Sequence, residues 1–414
     1  MTPPAPSTPG PTLGPTLGPA PVLAIVGGGQ LARMMAQSAV SLGIPLRLLA
    51  EGPGDSAAQV VPHSTVGDYR DLHTLREVTR GCAVVTFDHE HVPTSHLHAL
   101  AEDGVACRPG PLALVHAQDK GVMRSRMTEL DVPGPRHALV HDAKQVAAFA
   151  ASAGGFPVVL KTTRGGYDGR GVWMVGSEDD CAAAFETARA TGVHILAEEK
   201  VRFRRELAAL VARSPSGQAA VYPVAESVQK DGVCHEVVVP APDLSEDLAV
   251  QAQQIALRVA GALNVTGILA VELFETTDPS TGSGGPGRIL VNELAMRPHN
   301  TGHWSIDGAV TGQFENHLRA VLDLPLGSPE ARQPWTVMVN IRGGSNGGVG
   351  RLYDGYPHVF ARDPRLKVHL YGKEVRPGRK VGHVTAYGND LDDVLERARH
   401  AAAWFSGDLG QESE

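Results

Sequence analysis

Residues 161–173 read KTTRGGYDGRGVW, with four glycines in the seven residues from Gly165 to Gly171, entered from the apolar run FPVVL (Phe156–Leu160). The run reads as a short buried strand ending at Lys161. The glycine stretch has almost no apolar side chain to bury, so packing does not explain it. Glycine tolerates positive φ and close backbone approach, which lets successive N–H groups surround an anion. Lys161 and Arg170 add fixed positive charge. On this stretch alone two readings stay open, an anion-holding loop or a plain hairpin tip. It is neither a Walker loop, which needs Gly-Lys-Ser/Thr, nor a dinucleotide fingerprint opening a helix.

The chain around it has 414 residues, 42% hydrophobic and 20% charged, enough for two or three domains. A net charge of −8 argues against general nucleic-acid binding. No apolar run has membrane-spanning length and the first residues lack the pattern of a signal peptide, so a cytoplasmic location is expected. Cys82, Cys107, Cys181 and Cys234 are far apart and form no CxxC. They read as free thiols in a reducing compartment, Cys82 and Cys107 within apolar strand-like runs. Residues 1–20, rich in Pro, Gly, Thr and Ser with PTLG repeated, read as a disordered tail.

From Val22 strands and helices alternate. VLAIV (Val22–Val26), PLRLL (Pro45–Leu49) and CAVVTF (Cys82–Phe87) are strands, and GGGQLARMMAQSAVSLG turns into an amphipathic helix. This is the pattern of βαβ units and a parallel sheet. Gly27-Gly28-Gly29-Gln30-Leu31-Ala32 fits GxGxxA after a strand, with Glu51 near the end of the next, which alone suggests a dinucleotide site. The same turn suits any phosphate, or no ligand. Asp88, His89, Glu90 and His91, in TFDHEHVP, follow at the carboxyl edge of the sheet, where ligands bind. Without a second ligand cluster, a carboxylate bonded to a polar substrate is a better reading than a metal site. Gln118–Leu130 reads as a helix with Asp119 and Lys120 in its first turn. A lysine is unfavourable at that end of the helix dipole, which is consistent with an anion partner.

Residues 142–275 read as a second α/β unit. HILAEEKV (His194–Val201) is a strand entering a polar turn, and RRELAALVAR resumes strand alternation with Glu206 near its start. GILAVELF (Gly267–Phe274) sets Glu272 inside an apolar strand, and RILVNELAMRPHN (Arg288–Asn300) does the same for Asn292 and Glu293. A carboxylate there is costly unless paired or metal-bound. A hairpin through Thr276–Gly287 can set Glu272 opposite Glu293. Such a pair suits Mg²⁺ carrying phosphate oxygens, or is simply two solvent-facing residues. Farther on, Lys373, Arg376, Arg379 and Lys380 fall within eight residues, after a strand-like KVHLY (Lys367–Tyr371) and around a Pro377-Gly378 turn. Such a turn gathers cations as a phosphate site requires, unless they only guard a sheet edge.

KTTRGGYDGRGVW, EEKV with Glu206, VELF and NELAMRPHNTGHWS, in this order and spacing, resemble the ATP-grasp enzymes. With GGGQLARM, TFDHEHVP and HLYGKEVRPGRKVGH (His369–His383) the chain more closely resembles the 5-(carboxyamino)imidazole ribonucleotide synthases of purine biosynthesis, from about Val22 to about Phe405. The resemblance implies an α/β (α+β overall) fold. Its parts would be a Rossmann-like domain over 21–117, a two-lobed ATP-grasp domain over 118–330 and a small β-rich C-terminal domain over 331–405, with tails at 1–20 and 406–414.

It also implies roles. Lys120 and Lys161 would contact ATP phosphates, with Gly166, Tyr167, Asp168, Gly169, Arg170, Gly171 and Val172 closing over them. Glu198, Glu199, Lys200 and Val201 would be the hinge that reads adenine through its backbone. Glu206 would take the ribose hydroxyls, and Glu272 and Glu293, beside Asn292, would hold Mg²⁺. Gly29, Gln30, Glu90, Tyr167 and Arg170 would contact the ribonucleotide, with Lys373, Arg379 and Lys380 on its phosphate. By the residues themselves, Arg297, directly after the Glu293 strand, is placed to hold bicarbonate or carboxyphosphate, and His299 to act as base or to be structural, with Asn300 beside them. The implied reaction joins ATP, bicarbonate and 5-aminoimidazole ribonucleotide, commonly in a homodimer. Two positions depart from the family's pattern: Gln229 stands where histidine is frequent, and Lys120 where arginine is. The alternatives are another ATP-grasp ligase acting on a different amine or carboxylate and, disfavoured by intact Lys161, Glu272 and Glu293, a nucleotide sensor or NAD-binding dehydrogenase.

Overall fold

A computed structural model describes residues 20–166, 171–277, 287–344 and 352–409. The expectations for the tail up to residue 19 and for Tyr167, Asp168, Gly169 and Arg170 lie outside the described residues, as do residues 410–414.

The first sheet is parallel, as the alternating pattern predicts. Its strands are β1 (Leu23–Val26), β2 (Leu46–Ala50), β3 (Ser64–Val66), β4 (Val84–Phe87) and β5 (Ala106–Cys107), in the order β3-β2-β1-β4-β5. β1 and β4 are buried along their whole length, which is why β1 reads as an unbroken apolar run and β4 as one interrupted only by Thr86. The helix Gln30–Leu42 buries Leu31, Met34, Met35 and Ala39 against this sheet and ends at Gly43, whose φ of 65° is the left-handed stop glycine allows.

The second sheet is antiparallel: β6 (His137–Val140), β7 (Val158–Thr162), β8 (Val172–Val175) and β9 (Ile195–Glu199), in the order β6-β9-β7-β8. The glycine-rich stretch joins the hairpin partners β7 and β8. The third sheet has nine strands: β10 (Phe203–Arg213), β11 (Ala219–Val221), β12 (Ala225–Lys230), β13 (Val233–Val239), β14 (Gly267–Thr276), β15 (Ile289–Ala295), β16 (Trp335–Arg342), β17 (Lys367–Leu370) and β18 (Lys380–Gly388). They run β15-β14-β10-β12-β13-β16-β18-β17, with β11 on β10, so backbone pairing is continuous across residue 330. The helix Leu391–Ser406 buries Val394, Ala398, Ala401 and Phe405 against β16 and β18.

One helix differs from expectation. Gln118–Leu130 is not continuous: Pro111–Gln118 ends and Lys120–Glu129 begins around an extended Asp119. The Asp119 carboxylate accepts from Gly121 N (3.0 Å) and Val122 N (3.1 Å), so this residue caps the second helix instead of lying within it. All four cysteines are free thiols; Cys107 ends β5, while Cys82 precedes β4 and is half-buried. Among the described residues no helix is long and apolar enough to cross a membrane.

Candidate active site

The second and third sheets form two lobes around a cleft of about 1410 Å³, closed at one end by the carboxyl edge of the first sheet and the turn before β18. β14 and β15 are antiparallel neighbours, and their register sets Glu272 directly opposite Glu293. Like charges at that spacing repel. Burial first, then the charges of Glu293 and Glu206, push the Glu272 carboxyl up to about 8. One cation answers part of this, Lys120 Nζ lying 2.5 Å from Glu293 Oε1, while the His299 ring sets Nε2 3.3 Å from Glu272 Oε1. A pair of carboxylates short of positive charge fits a hard divalent cation. Among the described residues no group of three or more His, Cys, Asp or Glu could hold a metal, so phosphate and water oxygens would complete such a shell.

Behind the pair lies a network that sequence reasoning missed at its centre. Arg124, on the helix Lys120–Glu129, donates to Glu198 Oε1 (2.5 Å), Val291 O (2.7 Å) and Asn292 O (2.7 Å). Glu198 Oε2 pairs with Lys161 Nζ (2.7 Å), and Lys161 Nζ also donates to Asn292 Oδ1 (3.2 Å). Burial alone would raise the Glu198 carboxyl; Arg124 and Lys161 outweigh it and hold it down at about 2. The Glu198 side chain is therefore spent on a lysine and an arginine. Glu199 is likewise paired to Arg136, 2.9 Å through both Nε and the backbone N–H. Residues 198–201 line the cleft.

Glu206 lies beside Gln229 and is drawn in two directions, its carboxyl raised by burial and lowered by the Gln229 hydrogen bond and by Lys161. Gln229 also donates to Ser227 Oγ (2.8 Å). The rings of Phe203 and Phe274 stack at 4.7 Å and 18°, and with Val172 and Met174 they give the cleft an apolar wall. Val172 and the VELF strand carrying Phe274 were singled out in the sequence, whereas Phe203 at the head of β10 was not.

At the carboxyl edge of the first sheet the pieces are used differently from the sequence expectation. The Asp88 carboxylate accepts from Gly29 N (2.7 Å) and Ala32 N (2.9 Å), so it fills the amino end of the helix itself. A side-chain carbon on Gly29 would lie 2.1 Å from Asp88 Oδ2, which is why that turn needs glycine. A dinucleotide phosphate would have to displace this carboxylate. Glu90 accepts from Met296 N (2.8 Å) and Arg297 Nε (3.2 Å) and so aims Arg297. Gln30 Oε1 accepts from Lys373 Nζ, joining the first sheet to the C-terminal turn. Arg379 donates to Glu374 O (3.3 Å), Arg376 pairs with Glu374 at the surface, and Lys380 lines the cleft.

His299 lies between these halves. Its backbone N–H donates to Gln313 Oε1 (2.9 Å) and its Nδ1 sits 2.8 Å from Thr301 Oγ1. Burial, then the charges of Arg297 and Lys380, lower its pKa to about 3, so the ring is neutral. Asn300 is tied into a reciprocal amide pair with Asn340 (3.0 and 2.8 Å), which leaves it a bracing part in this arrangement.

Two lobes around a cleft with opposed lysines and carboxylates define an ATP-grasp protein. The ATP-grasp domain model matches residues 125–314, the ribonucleotide synthetase preATP-grasp domain model residues 21–118, and the phosphoribosylaminoimidazole carboxylase C-terminal domain model residues 336–397. The N5-carboxyaminoimidazole ribonucleotide synthase of Mycobacterium tuberculosis is 53% identical over 387 residues, covering 94% of this chain and 88% of that protein. The crystal structure of the Thermus thermophilus synthetase matches with a TM-score of 0.80 at 36% identity, over 94% of this chain and 100% of that one. An Aspergillus clavatus synthase in complex with ADP and 5-aminoimidazole ribonucleotide matches with a TM-score of 0.81 at 29% identity, over 94% and 99%. The chain belongs to the N5-carboxyaminoimidazole ribonucleotide synthase family of ATP-grasp ligases.

Proposed function

We propose that this chain carboxylates the amine of 5-aminoimidazole ribonucleotide with ATP and bicarbonate, through carboxyphosphate, in de novo purine biosynthesis. The observation that carries the reading is one cleft holding the Glu272–Glu293 pair, Lys120 and Lys161 at one end and Arg297 and Lys373 at the other, with His299 between them. Bicarbonate oxygen attacks the γ-phosphorus and ADP leaves; carboxyphosphate then releases phosphate and CO₂. The amine attacks that CO₂ and loses one proton. Such steps need positioning and neutralised charge more than a covalent nucleophile.

Lys120 and Lys161 take the ATP phosphates, exchanging Glu293 and Glu198 in part for them. Residues 198–201 and the Phe203–Phe274 wall receive adenine, and Glu206 with Gln229 the ribose hydroxyls. Glu272, Glu293 and Asn292 hold Mg²⁺, which when bound neutralises phosphate charge. Arg297, aimed by Glu90, holds the bicarbonate-derived carboxylate by charge-assisted hydrogen bonds. The neutral His299 has a lone pair available for the proton leaving the amine. Gln30, Lys373, Arg379 and Lys380 receive the ribonucleotide phosphate. The same reading takes the domain limits 21–117, 118–330 and 331–405, a homodimer, and a cytoplasmic location that suits four free thiols. The test is ADP release with and without bicarbonate and 5-aminoimidazole ribonucleotide, across a panel of amines. Release that depends on both supports the reading; release with another amine alone moves the chain to a sibling ligase activity.

A further inference from the structure

Three cations link the lobes, and one of them is buried behind the cleft wall. Lys120 and Lys161 line the cavity, while the Arg124 side chain is 1% exposed. A buried guanidinium is expensive to desolvate, and an apolar residue of similar volume often serves stability as well. Its bonds are informative. Nε goes to Glu198 at the end of β9, in the second sheet, while Nη1 and Nη2 go to the consecutive carbonyls of Val291 and Asn292 on β15, in the third. One planar group thus pins two lobes and the helix that begins at Lys120. The pinned strand presents Asn292 and Glu293 to the cavity, and Glu198 passes the constraint to Lys161.

We propose that Arg124 is a positioning residue for nucleotide and cation: it fixes the backbone that presents Asn292 and Glu293 and, through Glu198, the ammonium of Lys161. The inference rests on the reading that this cleft binds ATP with a divalent cation. Lysine is the discriminating replacement. It keeps a charge for Glu198 but cannot fork to two successive carbonyls.

The experiment compares full-length wild type, Arg124→Lys and Glu198→Gln by calorimetric titration with AMP-PNP, in Mg²⁺ and in EDTA, alongside initial rates and melting temperatures. Arg124→Lys should weaken binding about tenfold in Mg²⁺ but by less than about threefold in EDTA, as loss of a group that orients metal ligands does. Its kcat should fall about tenfold or more, with the KM for the ribonucleotide within about twofold of wild type. Glu198→Gln frees Lys161 while the strand stays pinned, so it should weaken binding equally in both buffers. Equal weakening by Arg124→Lys in Mg²⁺ and EDTA, tracking a lower melting temperature, overturns the proposal and leaves Arg124 merely structural. If Arg124→Lys does not fold, a selective loss of the Mg²⁺ gain in Glu198→Gln overturns it as well, because the effect then bypasses the strand. A wild type that binds AMP-PNP and Mg²⁺ but releases no ADP with bicarbonate and ribonucleotide defeats the functional reading instead, and leaves this one standing.

Discussion

Glu272 and Glu293 show what one register can impose. Two carboxylates placed opposite each other on a buried hairpin repel, and the protein tolerates them because Lys120 and His299 stand beside them. Glu293→Gln removes one charge with little change of volume. Turnover should fall at least ~100-fold, since stabilisation of transition-state charge at such a site amounts to several kcal/mol. Turnover like wild type at saturating Mg²⁺ would sink the metal role. Glu272 gives a pH prediction for the metal-free protein. Its native carboxyl is raised to about 8, above the ordinary 4.5, so the native state holds the proton more tightly than the unfolded chain. The stabilisation is complete below the ordinary value and is lost as pH rises through about 8. In EDTA, the melting temperature of wild type should drop relative to Glu272→Gln between about pH 5 and pH 8.5; parallel curves would show that the pair is already neutralised.

At the scale of elements, the turn between β17 and β18 is the test case. Lys373 bonds Gln30, the first residue of the helix packed on the first sheet, and Gln59 donates to Gly372 O, so this turn docks on the first domain instead of guarding a free edge. Lys373→Ala should raise the KM for the ribonucleotide roughly tenfold or more, one charge-assisted hydrogen bond contributing ~1.5–3 kcal/mol. The KM for ATP should hardly move; the reverse pattern would place the turn in the nucleotide site. The β14–β15 hairpin was legible because its carboxylates interrupt otherwise apolar strands, and the parallel sheet because β1 is an unbroken apolar run and β4 nearly one. β3 was not legible: three half-buried or exposed residues leave no apolar pattern. Neither was the break at Asp119, since an aspartate in a helical pattern reads equally well as a first-turn residue or a cap. The Arg124 network was out of reach because its partners lie 74, 167 and 168 residues away. The pairing of β13 with β16 is made by backbone groups, which carry no mark in the sequence.

For the whole molecule, buried histidines govern behaviour in acid. His89, His299 and His317 are each lowered to about 3, mainly by burial, and His303 and His383 are lowered well below their usual value. His317 matters most for assembly, because it bridges the first and third sheets. Its Nδ1 accepts from Ile268 N (3.1 Å) on β14, so the proton is on Nε2, which donates to Thr86 Oγ1 (2.8 Å) on β4. Protonating Nδ1 would remove the acceptor and bury a charge. The native ring thus titrates below the unfolded one, whose value is the ordinary 6.5. Below that value the unfolded chain binds more protons, so stability is full above about 6.5 and is lost as pH falls toward 3. His317→Gln cannot take up that proton. Its unfolding free energy should therefore fall less steeply than that of wild type between about pH 5.5 and 4.5, by close to ~1.4 kcal/mol per pH unit, the slope one proton imposes. Chemical denaturation of both proteins in identical buffers measures this, and the opposing contribution of Glu272 cancels in the difference. The variant should also be less stable at pH 8, where wild type keeps both hydrogen bonds. Equal slopes for the two proteins would mean that the interface opens before His317 protonates, and that the bridge does not set the acid limit of the fold.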